Sequence, residues 1–481
     1  MKGWQSAAIL AALVGGCAGL PPKQMPAPLP DAVPLAGLEA PGGGDWPAKE
    51  WWQRYQDPTL DRLIELGLAS SPTLATAHAR YDSARQSVRI AGAASGVRVD
   101  ANADVERQRL SDNGLISPHL LGFTWYNQAD LGLQASYTFD WWGKQRDAVQ
   151  AAMDEAHAAQ ADRSAAALML ASSIADTYFG WQADQSRIEL ARERAAAVAG
   201  EGAITAARIR ADLDPAEDND RSDLTLAAAR EQIAALEGSA KLRIVALAAL
   251  VGCSISELPP LQPRSLPAVS GNLPDNVRID LIARRADITA SRWRIEAEQR
   301  NLDAARAQFF PDVSINALVG LSSIDVGKLL EYGSRVPLAE GAVHLPIFDA
   351  GRLKARYGAS QVAIESAVAN YRDTLVGAAR DVAMQATTRA QIEAQRAQRV
   401  IETDAAQRLK LSAAARVRQG ITDPRTELTA TESWIEQRDA LLQLDAAALS
   451  ADIALQRALG GGYQSPAELK DTHPTAKTAT P

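Results

Sequence analysis

The sequence predicts a mainly α-helical chain with a small number of membrane-spanning β-strands, and three observations support this fold class. Between Val97 and Asp140, apolar and polar residues alternate in two runs of about ten residues, which is the pattern of half-buried strands. Two proline-free stretches, 143–214 and 351–423, carry charged residues at helical spacing over about 70 residues each. The two halves of the chain also share landmarks about 209 residues apart, which predicts an internal duplication.

The first strand pair carries more charge on one face than an ordinary soluble core accepts. A period of two places alternate side chains on opposite faces of a strand. Runs of about ten residues have the length that a tilted strand needs to cross a bilayer. An amphipathic hairpin in a soluble sheet is the alternative on the alternation alone. If the strands cross a membrane, the polar residues line a water-filled lumen and the alternate Val and Ala residues face lipid; the lumen-facing candidates are Arg98, Asp100, Asn102, Asp104 and Glu106.

Aromatic residues flank the second strand of this pair. They are Trp125, Tyr126, Trp141 and Trp142. Aromatic belts at the two membrane interfaces are one explanation of this placement. Packing where strands meet helices is the other explanation for the Trp141-Trp142 pair.

Composition and charge limit the possible partners and compartments. Hydrophobic residues make up 47% of the 481-residue chain but aromatic residues only 5%, so alanine supplies much of the apolar content and long helices are favoured. The net charge of −8, without a concentrated basic patch, argues against nucleic acid as a partner. No apolar run approaches 18 residues, so any membrane crossing is expected to use strands.

The N-terminus predicts a lipoprotein signal peptide. Lys2 precedes a short apolar run that ends in Val14-Gly15-Gly16-Cys17. Small residues before a cysteine resemble a bacterial lipobox, in which Cys17 becomes the lipidated first residue of the mature protein. Cleavage by an ordinary signal peptidase, with an incidental cysteine, is the alternative. Only Cys253 would then remain, so no intramolecular disulfide is expected.

The remaining elements follow in two similar series, each with a pair of helices, a strand pair and a long helical hairpin. Pro- and Gly-rich segments form the tether and the linker between the two series. The predicted segments are signal peptide 1–16, lipid anchor and tether 17–56, helices 57–96, hairpin 97–140, helical hairpin 141–258, linker 259–275, helices 276–311, hairpin 312–349, helical hairpin 350–460 and flexible tail 461–481.

Three landmarks set the register of the duplication. Phe139-Asp140 matches Phe348-Asp349, Asp214-Pro215 matches Asp423-Pro424, and Gly252 matches Gly460. Each pair lies at a predicted boundary between elements, where shared composition alone would not produce a constant offset. In the second half we place the strands at 313–320 and 341–347, with Pro337 in the loop between them.

Four strands per chain imply oligomerisation if the strands cross a membrane. Open sheet edges in lipid leave backbone groups unpaired, and closed barrels begin at about eight strands. Two copies would supply eight strands and three copies would supply twelve. A helix of about 70 residues is about 100 Å long, so the helices would extend such a tube into a duct.

Catalytic and cofactor motifs are missing from the sequence. The five histidines are scattered, and the chain contains neither an HExxH motif nor a Cys/His cluster. It also lacks a phosphate-binding GxxxxGK[ST] loop and a GxSxG elbow. We therefore predict no enzymatic activity, no cofactor and no metal site, and we expect His344 to be a lumen-lining or structural residue.

The breaks between the long helices carry opposite charges. Carboxylates cluster around the first break, and arginines, with further carboxylates, surround the second. If both breaks lie at the same end of a duct, ion pairs between them could keep its mouth constricted; solvated charges at two turns are the alternative. The gate candidates are Asp212, Asp214, Asp218, Arg416, Arg418, Asp423 and Arg425.

Several short motifs, in order along the chain, resemble the outer-membrane efflux proteins of the TolC/OprM type. Asp57-Pro58-Thr59-Leu60-Asp61-Arg62-Leu63-Ile64 is similar to the family's opening. Arg284-Arg285-Ala286-Asp287-Ile288 is similar to its RRPDI signature, with Ala286 in the usual place of proline. Pro346-Ile347-Phe348-Asp349-Ala350-Gly351 and Leu459-Gly460-Gly461-Gly462 are similar to later family segments. Thr429 occupies a position where many relatives carry a carboxylate at the periplasmic mouth. A gate built from that carboxylate therefore cannot be inferred for this chain.

The resemblance, which is closest to the lipidated branch, implies a specific assembly. It implies a homotrimer with a twelve-stranded outer-membrane barrel and an α-helical periplasmic barrel. It also implies a passive exit duct that works with a periplasmic adaptor and an inner-membrane pump of the resistance-nodulation-division type. Two alternatives remain open at this stage, the duct of a type I protein-secretion system and a coiled-coil lipoprotein without a pore.

Overall fold

The computed structural model describes residues 43–113, 118–269, 273–274 and 277–464, and it divides into two compact units. The first unit contains the segments Tyr81–Ala158 and Ser291–Asn370, and the second contains the described parts of Pro30–Arg80, Ala159–Ala290 and Tyr371–Pro481. The predicted signal peptide, Cys17 and most of the C-terminal tail lie outside the described residues, so these predictions stand as made.

The helices follow the predicted order closely. Both long proline-free stretches form single helices of 67 residues. Apart from a four-residue helix at Pro118–Leu121, the α-helices are α1 (Pro58–Ser70), α2 (Pro72–Ala94), α3 (Lys144–Arg210), α4 (Glu217–Val251), α5 (Val277–Arg284), α6 (Ala286–Ala307), α7 (Arg352–Arg418) and α8 (Arg425–Ala458). Among the residues that the structure describes, none of these helices is long and apolar enough to cross a membrane.

The repeated Phe-Asp pairs mark the starts of the two longest helices. The Asp140 carboxylate accepts hydrogen bonds from the main-chain N–H groups of Gln145 and Arg146, at 3.1 and 2.7 Å. The Asp349 carboxylate does the same for Gly351 and Leu353, at 3.0 and 2.8 Å. Side-chain oxygens satisfy the free N–H groups of a helix start, so the duplicated aspartates act as matching N-terminal caps.

The repeated glycines end the last helix of each half. Gly252 follows α4 with a φ of 82°, and its N–H donates to the Ala248 carbonyl. Gly460 follows α8 with a φ of 93°. A Cβ at Gly460 would lie 1.9 Å from the carbonyl oxygen of Arg284, so this position needs glycine for space as well as for its backbone conformation.

The first unit contains one antiparallel sheet of four strands in the order β1-β2-β3-β4. The strands are β1 (Arg98–Arg109), β2 (Trp125–Phe139), β3 (Asp312–Ser323) and β4 (Arg335–His344). Besides the two hairpins, β2 pairs with β3, so both halves contribute to a single sheet. We call the end with the 110–124 and 324–334 connections the loop end, and the opposite end the helix end.

The predicted bounds of the fourth strand were wrong. The strand begins at Arg335 rather than at residue 341, it ends at His344, and it includes Pro337 opposite Val319. Proline cannot donate to a ladder and is therefore found on edge strands. Because β4 forms an edge of this sheet, the missing N–H of Pro337 can be accommodated there.

The core of the second unit is formed around the segment Trp51–Tyr55, a 3₁₀ helix. Its aromatic rings contact one another edge to face, with 5.9 Å between the ring centroids of Trp51 and Trp52. Side chains from four helices complete this core, among them Leu60, Leu63, Ile64, Ile174, Tyr178, Leu247 and Leu449. Burying such side chains is the main favourable term in folding, so this core ties the segment Trp51–Tyr55 to both halves.

Two carboxylates are buried beside this core. Asp452 is fully buried, accepts a hydrogen bond of 2.8 Å from Tyr55 Oη, and lies 3.6 Å from the Arg389 guanidinium. Asp57 accepts a 2.8 Å bond from Tyr178 Oη and also caps α1. Burial, followed by the Asp452 carboxylate, raises the pKa of Tyr55 well above its ordinary value, so the phenol stays protonated as a donor.

Candidate functional site: the sheet faces and the helix breaks

One face of the sheet, which we call the polar face, contains all five predicted lumen residues. They lie on β1 and are paired with polar or glycine residues of β2. The pairs are Arg98 with Ser136, Asp100 with Gln134, Asn102 with Gly132, Asp104 with Asp130, and Glu106 with Gln128. The register therefore places the polar residues of the first hairpin side by side.

The polar face continues across the second hairpin with fewer charges. Asn316 lies opposite both Ser136 and Glu340, and its Nδ2 donates to Glu340 Oε1 at 3.2 Å. Leu318 and Leu338 interrupt the polar surface nearby. Sequence reasoning missed Glu340 because the alternation in this half is less regular.

The opposite face, which we call the apolar face, exposes hydrophobic side chains. Val99, Leu133 and Val319 are 62%, 57% and 68% exposed. They belong to a surface that runs across all four strands, with Val99 opposite Ala135 and Leu133 opposite Val319. Large continuous apolar surfaces on a protein indicate contact with a partner or a membrane. A sheet with one polar and one apolar face suits a boundary between water and lipid.

The two tryptophans after β2 have different environments. Trp141 stacks on Phe139 with 5.6 Å between centroids, in line with Tyr137 on the apolar face. Trp142 stacks on Phe310 at 4.5 Å, and its Nε1 donates to the Pro311 carbonyl. Trp141 therefore fits an interfacial belt, whereas Trp142 packs where strands meet helices.

The second candidate region is formed by the two helix breaks, which the structure brings together. We call Arg208, Asp214, Asp423 and Arg425 the break cluster. Arg208 binds Asp214 through two hydrogen bonds of 2.8 and 2.9 Å. Arg425 Nη1 lies 3.4 Å from Asp214, and Arg208 Nη1 lies 3.9 Å from Asp423. Each break thus supplies one partner of an ion pair with the other break.

These contacts stabilise the ionised carboxylates. Hydrogen bonds from Arg208 hold the pKa of Asp214 below its usual range, with further contributions from the Arg208 and Arg425 charges. The main-chain N–H of Arg425 is the largest cause of the lowered pKa of Asp423. The Asp214 contacts in turn raise the pKa of Arg208. Both carboxylates of the cluster are therefore ionised near neutral pH.

The other gate candidates lie outside this cluster. Asp218 pairs with Arg221 on the same helix at 2.8 Å. Asp212 is exposed and turns the chain with a φ of 56°. Arg416 and Arg418 are exposed in the last turn of α7. Any gate role of these four residues stays a prediction.

Sequence reasoning missed Arg208, the residue with the strongest contacts in the break cluster. It lies in the last turn of α3, six positions before Asp214. A basic residue near a helix C-terminus is a common local feature, and it gave no signal that the side chain reaches a second break.

Further polar contacts join the two helical hairpins. Arg187 of α3 binds Asp439 of α8 at 2.7 Å. Lys410 of α7 binds Glu193 of α3 at 3.2 Å, and its ammonium lies 3.9 Å from the ring centroid of Trp434. These half-exposed pairs add specificity more than stability.

A metal centre was also sought. Within the described parts of the chain, no group of three or more His, Cys, Asp or Glu side chains could hold a metal ion.

Comparison with known proteins gives the family. A family model described as outer membrane efflux protein matches residues 63–253 and 278–461, one segment in each half. The chain is 31% identical to the multidrug resistance outer membrane protein MdtP of Escherichia coli K12, and the match covers 94% of this chain and 95% of that protein. It is also similar to the crystal structure of the outer membrane protein VceC from Vibrio cholerae, with 31% identity, a TM-score of 0.77, and coverage of 87% of this chain and 100% of that one.

A more distant structure supports the same fold. The outer-membrane channel OprN aligns with a TM-score of 0.81 at 24% identity, covering 94% of this chain and all of that one. The predicted fold class, a mainly helical chain with four strands, is confirmed, and so is its location in the outer membrane. The matched family consists of channels rather than enzymes. The family model spans most of the chain and the relatives match nearly all of it, so the chain belongs to the outer membrane efflux protein family.

Proposed function

We propose that the protein is the passive exit duct of a tripartite efflux system and exports drugs or other small molecules. The observation that carries this proposal is the four-stranded sheet, which has faces of opposite polarity and edges at β1 and β4. An edge in lipid leaves backbone groups unpaired at several kcal/mol each, so the edges must be joined to other copies. Three copies in a homotrimer give a twelve-stranded barrel with the polar face inside.

The direction of transport follows from the partners of such a duct. An inner-membrane pump of the resistance-nodulation-division type supplies the energy, and a periplasmic adaptor joins it to the helical part of the trimer. The MdtP relative is named a multidrug resistance protein, which favours small molecules over proteins as cargo. Lipidation at Cys17 would add an anchor in the outer membrane.

The break cluster is proposed to restrict the periplasmic mouth. Arg425 with Asp214, and Arg208 with Asp423, join the two breaks of one protomer. These ion pairs are partly open to solvent, so a partner protein can separate them, while a trimer repeats each pair three times. Such contacts suit a periplasmic mouth that is closed at rest and opens when a partner protein docks.

The test combines the oligomer mass of detergent-extracted protein with single-channel conductance in a planar bilayer. The proposal predicts a trimer with a low resting conductance, and it predicts a higher conductance for Arg425→Gln, which removes one contact between the breaks. Arg221→Gln is the matched control, because the ion pairs of Arg221 among the described residues, with Glu217 and Asp218, lie within α4. A monomer without conductance would overturn the duct, and equal conductance in the two variants would overturn the gate alone.

A further inference from the structure

A groove of about 530 Å³ crosses the apolar face of the sheet. Its floor is the main chain around Gly132 and Gly320, which lie directly opposite each other on β2 and β3. Its walls are side chains one position before and after these glycines, including Leu131, Leu133 and Val319. The groove is open, and nearly all of its accessible lining is apolar.

Arg335 is the one charged side chain among the residues that line this groove. It lies opposite Leu321 at the start of β4, toward the loop end. Its guanidinium lies 4.2 Å from the ring centroid of Tyr332, and it forms no ion pair with any residue that the structure describes. A cation on the lipid-facing surface of a barrel is tolerated near the ends of the strands, where anionic headgroups can accompany it. The position therefore calls for a negatively charged group beside the groove.

We propose that the groove binds an acyl chain of a net-negative phospholipid whose phosphate contacts Arg335. The inference rests on the proposed placement of the apolar face against lipid. Acyl chains alone give little selectivity inside a bilayer, since every lipid supplies them. The charge of Arg335 supplies the selectivity, because surface cations attract anionic headgroups. A second copy of the chain is the competing occupant.

Arg107 provides a matched comparison on the same face. It lies on β1 opposite Asn127, toward the loop end, and its guanidinium lies 5.4 Å from the ring centroid of Trp125. It does not line the groove. Each of the two arginines thus stacks on an exposed aromatic ring, but only Arg335 lines the groove that is proposed to hold an acyl chain.

The experiment measures retained lipid by native mass spectrometry of the detergent-extracted oligomer. The protein is mixed with phosphatidylglycerol or with phosphatidylcholine of the same acyl chains. We expect phosphatidylglycerol to be retained preferentially, and Arg335→Gln to lower that retention about fivefold, the effect of one surface cation on an anionic lipid. Arg107→Gln should retain as much as the unchanged protein. Ala101→Phe, which fills the groove from β1, should lower retention of both lipids.

Two results would overturn the proposal. Equal retention of the two lipids, or equal losses in Arg335→Gln and Arg107→Gln, would show that the groove does not select a headgroup. Dissociation of the oligomer by Ala101→Phe, with lipid retention per chain unchanged, would assign the groove to a second copy. Oligomer mass and conductance of the unchanged protein test the duct separately, so a failure of the lipid site leaves that result intact.

Discussion

The four-stranded sheet of the first unit and the helical core of the second unit contain carboxylates in opposite environments. Asp104 on the polar face is exposed and lies opposite another carboxylate, Asp130. Asp452 in the helical unit is fully buried and contacts Tyr55 and Arg389. Like charges directly opposed on a sheet are tolerable only where water screens them, whereas a buried charge must be paired.

In the proposed duct, this difference separates residues that would serve transport from residues that serve folding. An exposed carboxylate on the polar face contributes little to stability, and in the proposed duct it would set the charge of the surface that permeating molecules meet. Removing a buried carboxylate lowers stability, because its buried partners are then left without a counter-charge or a hydrogen-bond acceptor. The break cluster lies between the two, since its ion pairs are partly buried and join the two helix breaks. The effect of a substitution on stability should therefore depend on the environment of the side chain rather than on the residue type.

The largest effect is expected for Asp452→Ala. It leaves the Arg389 guanidinium, which is 15% exposed, without its carboxylate, and it removes the acceptor of Tyr55 Oη. Breaking a buried pair in this way costs about 3–5 kcal/mol in the free energy of unfolding. Asp445→Ala on the same helix is the control, because its partner Arg396 is 46% exposed, and it should cost about 0–1 kcal/mol. Denaturant unfolding in detergent, followed by circular dichroism, measures both; equal losses would contradict the distinction.

A second prediction compares adjacent residues on opposite faces of β1. Ala103→Lys places a cation on the apolar face near the middle of the strand, which costs about 2–4 kcal/mol at a bilayer midplane. Asp104→Lys places the same side chain on the polar face, opposite the Asp130 carboxylate. The yield of folded oligomer in the outer-membrane fraction should fall for Ala103→Lys alone. Similar yields for the two variants would contradict the assignment of the faces.

The third prediction concerns close backbone approach within the sheet. A Cβ at Gly320 would lie 2.7 Å from the Leu131 carbonyl oxygen and 3.0 Å from the Gly132 Cα, both main-chain atoms that cannot move independently. Gly320→Ala should therefore lower stability by about 1–3 kcal/mol, as overpacking does elsewhere. Gly341→Ala is the control, since a Cβ there meets nothing within 4 Å. The temperature at which the oligomer dissociates on gels reports the difference, and equal temperatures would argue against a tight fit.

Local patterns predicted most of the fold because its elements are long and clearly bounded. The alternation of β1 and β2 indicated the two faces, and the repeated Phe139-Asp140 and Phe348-Asp349 pairs marked boundaries that the structure shows to be the starts of long helices. The fourth strand was placed wrongly since Pro337 signals a loop unless the strand is known to be an edge. Edge position depends on sheet order, which is a property of the whole fold.

The break cluster and the buried pairs show a second limit of prediction from the sequence. Asp214-Pro215 and Asp423-Pro424 located the breaks, and their charges suggested ion pairing. Arg208 and the contact of Tyr55 with Asp452, which lie 397 positions apart, were not predicted. Such contacts depend on how separate helices pack, and no local signal in the sequence encodes them.

The smallest effect is a pH dependence of the break cluster. The pKa of Asp214 is lowered in the folded protein from an ordinary value of 3.8, mainly by hydrogen bonds from Arg208. A lowered pKa in the folded state contributes stability that is present above the ordinary pKa and lost as the pH falls through the folded one. The contacts should therefore be unchanged between pH 7 and pH 5, and they should weaken only below pH 3.8. Resting conductance measured over this range should stay constant and then rise.

Asp214→Asn isolates this titration. The amide cannot carry the charge that Arg208 and Arg425 contact, so the variant should show the raised conductance already at neutral pH and a weaker rise in acid. Glu217→Gln is the control, because its partner Arg221 lies on the same helix. A conductance that rises between pH 7 and pH 5 would point instead to a group with a higher pKa. Asp154, whose pKa burial raises to about 6, would then become the residue to test.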